Sequence, residues 1–267
     1  MLRSLVLGLT VSLALAGPSP AQTPAPATAP APAQTVDDII AKNIKARGGL
    51  EKLKAVKSVR MTGHMSVGPG TEAPMVIEMK RPDKLRLDIT VQGMTVTQAY
   101  DGKTGWQINP FAGSKNAETM SAEELKEAAE QADMDGPLVD WKAKGHKVEL
   151  VGKEKVEGTD VYKLKVTLKN GNVRYFFIDA DSYLDIKGEA KRSVRGTEIE
   201  TEQTIGDYKE VGGLMIPHSF EGGAKGKPEK QKITVEKIEL DVPVEDARFA
   251  MPAKKDEPAV KKPGARA

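Results

Sequence analysis

From residue 56 onward, apolar and polar side chains alternate along most of the chain. Val59, Met61, Met65 and Val67 share one phase against Arg60, Thr62 and His64. Met75, Ile77 and Met79 oppose Glu78 and Lys80, and Leu85, Leu87, Ile89 and Val91 oppose Lys84, Arg86, Asp88 and Thr90. Met94, Val96, Gln98 and Tyr100 follow, then the turn Asp101-Gly102-Lys103-Thr104-Gly105 before Trp106 and Ile108. A period of two with such turns predicts an antiparallel meander with one dry and one wet face. The pattern resumes at Tyr162, Leu164, Val166 and Leu168, turns at Asn170-Gly171, and continues through Val173, Tyr175 and Phe177. Further strands are expected near 183–192, 197–209, 214–221 and 230–239. Eleven or twelve antiparallel strands must curl into a barrel or a sandwich.

Helical spacing occurs in two places. Thr35 caps a helix whose first turn is acidic (Asp37, Asp38) and whose stripe is Val36, Ile39, Ile40 and Ile44; Gly48-Gly49 ends it, and Leu50–Leu53 makes a short second turn. In the middle of the chain, Ser121-Ala122-Glu123-Glu124 is a capping-box pattern opening a helix over 121–132. Gly136-Pro137 is expected to start another short helix carrying Leu138, Val139 and Trp141.

The ends read differently. Arg3 precedes the twelve-residue apolar run Leu5–Ala16, too short for a span of about 20 residues, so 1–21 reads as a signal peptide. Cleavage is expected after Ala16 or, by preference, after Ala21. Residues 22–35 form a Pro/Ala-rich spacer, 36–252 the folded domain, and 253–267 a Lys-rich tail. The chain has 267 residues and a net charge of +2, but the folded part holds 34 basic and 36 acidic residues, so the positive excess lies outside it. That balance gives no reason to expect nucleic acid as a partner. With no cysteine, disulfides, thiol catalysis and a lipid anchor of its own are excluded from the expectation. The product is expected to be exported, soluble, periplasmic and monomeric.

No catalytic constellation is visible: there is no Gly-x-Ser-x-Gly, no Walker loop and no His-Glu-x-x-His. His64, His146 and His218 read as surface or edge residues, and Glu198, Glu200 and Glu202 as one solvated strand face. The chain is therefore not expected to be an enzyme, nor to hold a metal or cofactor. Five of its ten methionines (Met61, Met65, Met75, Met79, Met94) fall in the dry phase of the first four strands. Methionine suits a surface that accepts variable apolar partners, and it also fills cores. With only 4% aromatic residues, few rigid side chains are available to fill a wide barrel.

Several segments resemble a known family. Val36–Asn43 running into Ala46-Arg47-Gly48-Gly49-Leu50-Glu51-Lys52-Leu53 looks like the start of exported outer-membrane lipoprotein-sorting proteins of the LolA/LolB-like family. Tyr100–Trp106, Phe177-Ile178-Asp179-Ala180, Asp207–Pro217 and Phe249-Ala250-Met251-Pro252 resemble its later turns and strand ends in the same order. The resemblance spans about 36–252. It implies a mainly β fold with a few helices: a half-open antiparallel barrel of about eleven strands under a helical lid, holding acyl chains of lipoproteins or related lipids in transit to the outer membrane. An inner-membrane donor and an outer-membrane acceptor would be partners. The expected cavity lining is Met61, Met65, Met75, Ile77, Met79, Leu85, Leu87, Ile89, Met94 and Val96; the expected lid is Ile40, Ile44, Leu125, Leu138 and Trp141. In that family an arginine holds the lid, and Arg60 stands at a suitable strand position, although in the wet phase. The alternative is an envelope sensor that uses the same scaffold to bind a membrane protein.

Overall fold

The computed structural model describes residues 34–113, 116–194 and 197–253. The expected signal peptide, most of the spacer and nearly all of the tail lie outside these residues. Two helices come first, α1 (Val36–Ala46) and α2 (Leu50–Ala55). Thr35 caps α1 as expected, and the side chain of Asp38 returns a bond to the Thr35 backbone. Six strands follow: β1 (Ser58–Gly68), β2 (Thr71–Lys80), β3 (Lys84–Val91), β4 (Met94–Tyr100), β5 (Gly105–Ile108) and β6 (Glu118–Thr119). Helix α3 (Ala122–Gln131) separates them from β7 (Lys147–Val156), β8 (Thr159–Thr167), β9 (Val173–Asp179), β10 (Asp185–Val194), β11 (Thr197–Val211), β12 (Leu214–Ala224) and β13 (Gln231–Leu240).

All thirteen strands form one antiparallel sheet in the order β6-β5-β4-β3-β2-β1-β13-β12-β11-β10-β9-β8-β7. Each half is a meander, and a single long-range seam, β1 against β13, joins the halves. The sheet does not close: β6 and β7 are its edges. A sheet this wide must curl, which agrees with the half-open barrel that the family resemblance implies, with thirteen strands in place of about eleven. The exposed edge β7 carries Lys147, Lys153 and Lys155 and a bulge at Leu150/Gly152, devices that discourage edge pairing.

The helices all pack on one face, the concave one. Ile39 and Ile40 of α1 lie in a core with Tyr162, Leu164, Val166 and Ile178. Leu53 and Val56 pack over the seam against Val59, Leu214, Val235 and Ile238. α3 sits on Leu85 and Tyr100 through Ala128, with Leu125 beside them. Glycines permit two close approaches. A Cβ on Gly63 would lie 2.0 Å from the Thr234 carbonyl oxygen, beside the register shift in the seam. A Cβ on Gly48 (φ +117°) would lie 2.4 Å from the Gly213 oxygen, where the α1–α2 junction meets the β11–β12 turn.

Two expectations are corrected here. The segment after Gly136-Pro137 is a series of turns rather than a helix, because Asp140 adopts a left-handed conformation (φ 53°) that interrupts the helical path. The polar phase of β1–β4 is not a wet face. Residues 243–250 cross it, with Phe249 fully buried and Val244 buried. The indole N–H of Trp106 donates to the Phe249 carbonyl at 2.7 Å. Beneath this cover Glu78 is only 2% exposed, and it accepts hydrogen bonds from Arg60 (2.8 and 2.9 Å) and Arg248 (2.9 Å). A buried carboxylate is tolerated because two guanidinium groups pair with it. Phe249→Ala should therefore cost about 3–5 kcal/mol, the usual range for truncating a buried aromatic. Urea unfolding measures this, and a loss under about 1 kcal/mol would mean that the segment is an accessory strap rather than part of the core.

Candidate lipid-binding cavity

The helices do not fill the concave face. A cavity of about 280 Å³ remains beneath the α1–α2 junction and the segment 134–138. Its floor comes from both halves of the sheet: Val59, Met61 and Met79 on one side of the seam, and Leu240, Phe220, Ile205 and Phe176 on the other. Met134, Leu138 and Met215 complete the walls, so four methionines line it. A second space of about 290 Å³ adjoins at Phe176, Ile205 and Phe220. It exists because Gly188, Ala190, Thr201 and Gly222 present little or no side chain there. A wider opening of about 990 Å³ lies at the rim between α3 and the β8–β9 turn.

One corner of the first cavity is polar. Arg47, the residue that ends α1, is held by its carbonyl, which accepts from the Met215 N–H at 3.1 Å. Its guanidinium donates to the Asp135 carbonyl at 3.3 Å. Asp185 opens β10, and its carbonyl accepts from the Tyr208 hydroxyl at 2.9 Å. Burial pushes the Asp185 carboxyl above the usual carboxylate range, against the pull of Arg47 and Asn43. Burial, then the neighbouring Asp185, raises the Tyr208 hydroxyl as well.

Polar latches fasten the helical cover to the rim. Arg81, just beyond β2, donates to both carboxylate oxygens of Asp135 at 3.0 and 2.5 Å and to the carbonyls of Val56 and Leu53. Glu130 of α3 accepts from Asn170 at 2.7 Å and Asn172 at 2.6 Å, and pairs with Arg174. Lys144 pairs with Asp133 at 2.5 Å. Arg81 and Arg174 thus bond the cover, whereas Arg60 points to the opposite face of the sheet and binds Glu78.

The structure distributes the sequence-predicted residues unevenly. Met61 and Met79 line the first cavity. Leu85 and Leu87 line a small space of about 60 Å³ under α3. Met65, Met75, Ile77, Ile89, Met94 and Val96 share the same strand phase but line neither; Met75 is 1% exposed and Met94 40% exposed. Of the expected lid, Leu138 lines the cavity and, with Ile40, is built into a packed core. Ile44 and Trp141 pack beside that core, and Leu125 lies with α3. The sequence reading missed Phe176, Ile205, Phe220, Met134 and Met215. Their signal was present but divided: Phe176 lies in the opposite phase to Tyr175 and Phe177, and a left-handed Asp207 (φ 52°) breaks the alternation after Ile205. His218 is buried rather than at the surface, with its Nδ1 2.9 Å from the Ile216 carbonyl oxygen. Among the described residues no group of three His, Asp or Glu side chains is placed to hold a metal, and no helix is long and apolar enough to cross a membrane.

An open antiparallel sheet whose concave face is roofed by helices over an apolar space is the architecture of LolA-like proteins. Solved structures agree. A LolA superfamily protein from Nitrosomonas europaea superposes with a TM-score of 0.55 at 14% identity, covering 82% of this chain and 98% of its own. A candidate outer membrane lipoprotein-sorting protein domain from Vibrio parahaemolyticus gives 0.54 at 15% identity, covering 79% and 94%. A DUF1329 family protein from Desulfovibrio piger gives 0.56 at 14%, covering 80% and 97%. The chain therefore has the LolA-like fold. Protein-family models and curated proteins yield no match.

The latches make the cover sensitive to acid. Burial raises Glu130, but Arg174 and the two asparagines outweigh it and hold the carboxyl below its ordinary 4.5. Burial likewise raises Asp135, and Arg81 more than offsets it, below 3.8. A carboxyl depressed in the folded state stabilises fully above its ordinary value and loses that contribution as pH falls through the folded one. The stability gap between wild type and Glu130→Gln in urea should be constant above pH 4.5 and shrink below it. A gap undiminished in strong acid would show that the ionised carboxylate is not what holds α3.

Proposed function

We propose that this protein binds the acyl chains of lipoproteins or related lipids in its concave cavity and carries them through the periplasm toward the outer membrane. The observation that supports this reading most is the unfilled apolar space of about 280 Å³ under a cover fastened by polar latches. It is just under the range of ligand cavities, about 300 to 1,000 Å³, and spaces that share its lining residues add to it. The lipoprotein-sorting description of the Vibrio parahaemolyticus structure is consistent with the same cargo.

A carrier must also release what it binds. Each buried methylene contributes about 0.8 kcal/mol, so a dozen fully covered would give roughly 10 kcal/mol and hold cargo too tightly for exchange. The geometry suits partial cover: the small space shares Pro137 and Phe176 with the wider one at the rim. The Arg81–Asp135 and Glu130–Arg174 pairs can exchange their partners for water at modest cost because their arginines are partly exposed. Leu138 and Ile40, by contrast, cannot leave the core cheaply, so the movable part of the cover is α3 with the segment 133–136.

Ile205 faces the cavity without belonging to the helix-packed cores, so it separates binding from stability. Ile205→Gln should weaken cis-parinaric acid binding about tenfold or more while leaving the urea midpoint nearly unchanged. Native mass spectrometry of gently purified protein should show copurified lipid. An empty protein that binds no fatty acid but captures a membrane protein would replace the carrier reading with that of an envelope sensor.

A further inference from the structure

The first two spaces on the concave face share Phe176, Ile205 and Phe220 in their walls, so a chain lying in one can run on into the other. The missing side chain at Gly188 helps to open the second. Gly188 stands in β10 directly between Phe176 of β9 and Gln203 of β11. Residues opposite one another on an antiparallel sheet share a face, so a side chain at 188 would rise from the concave floor beside these two. The fold does not ask for glycine here. Its φ lies outside the left-handed region, unlike that of Gly48. A Cβ at 188 would meet nothing closer than the Gln203 side-chain nitrogen at 3.5 Å, an ordinary contact. At Gly63 and Gly48 a Cβ would instead collide with a carbonyl oxygen, at 2.0 and 2.4 Å. Glycine inside a strand weakens it. Gly188 is therefore a residue that neither backbone geometry nor packing requires, at a place where a larger one would fill a space of about 290 Å³. That space also has an end. The next row along the same strands is Arg174, Ala190 and Thr201, where the floor turns polar.

We propose that Gly188 sets how long an acyl chain the concave face accepts. A short chain is housed in the first space alone, and a long one crosses Gly188 into the second. Each methylene laid on apolar surface adds to affinity, so the gain with chain length continues as far as the apolar floor does. The inference rests on the carrier reading and narrows it to long-chain cargo.

The experiment is equilibrium dialysis of the purified protein against radiolabelled decanoic and octadecanoic acids, each kept below its aggregation limit. Wild type should bind octadecanoic acid about a hundredfold tighter or more, since an open groove covers only part of each added methylene. Gly188→Leu should bind decanoic acid as wild type does and reduce the ratio of the two affinities about tenfold or more. Its thermal midpoint should be no lower than that of wild type, because a strand residue replaces a glycine. Gly188→Val is smaller and a good strand former; it should reduce the ratio in the same direction, and it decides the matter if the leucine variant does not fold. A wild-type protein that gains nothing from the longer chain overturns the proposal and leaves the carrier reading intact. So does a folded variant that keeps the wild-type ratio, or one that weakens both acids equally. If neither acid binds wild type, the carrier reading fails and the role of Gly188 with it.

Discussion

Everything in this structure follows from a sheet too wide to fill its own interior. Thirteen strands curl but do not close, so their concave face is an apolar surface that must be covered. The chain covers most of it with three short helices and a turn-rich segment, each packed on a different stretch of strands. What they leave over is the cavity. Its position is not arbitrary: it lies along the β1–β13 seam, where the two meanders meet and Leu53 and Val56 beneath the α1–α2 junction cover only part of the floor. The close approach of Gly48 to Gly213 sets the height of the α1–α2 junction above that seam, and so brings Arg47 to the cavity wall.

The two faces of the sheet solve different problems. The convex face of β1–β4 buries charge, with Arg60, Glu78, Arg248, Arg86 and Asp88 bonded together under residues 243–250. That arrangement anchors the end of the described chain across four strands and stiffens that half. On β9–β12 the convex face stays open, with Lys187 and Lys225 bridging Glu189, and Lys187 and Lys230 bridging Glu202. The concave face there is floored by small residues. The first half carries the apolar contacts of α3, and both halves floor the cavity.

Much of this was legible in the alternation of residues, and the failures have physical causes. A period of two reports which residues share a face, but not what lies over that face. Met61, Met75 and Met94 are identical in phase, yet they end in a cavity wall, a closed core and solvent, because coverage depends on helices and hairpin tips remote in sequence. Glu78 and Arg60 read as wet for the same reason: their cover arrives from about 170 residues away. The lining on β9–β12 was hidden differently. Phe176, between Tyr175 and Phe177, has no polar neighbours to mark its phase, and the left-handed Asp207 resets the alternation locally. The turn-forming residue Asp140 could not be told from a helical aspartate by composition alone, so the middle segment read as helix.

The contrast between how the cover is packed and how it is fastened bears on how the proposed carrier would exchange its cargo. Ile39, Ile40 and Leu138 are sealed into the sheet, and moving them would expose apolar surface with nothing to replace it. α3 also packs on Leu85 and Tyr100 through Ala128, but it and the segment 133–136 are held in addition by carboxylates paired to Arg174, Arg81 and Lys144, groups that water can satisfy once the pairs part. A cover fastened only by apolar contacts would need a partner of matching apolar surface to open it. One fastened by ion pairs at the rim can be opened by any surface that offers competing charge, and the hydrocarbon beneath then faces that surface directly. In the carrier proposed above, that chemistry would set the order of events: polar exchange at the rim first, transfer of the chain second.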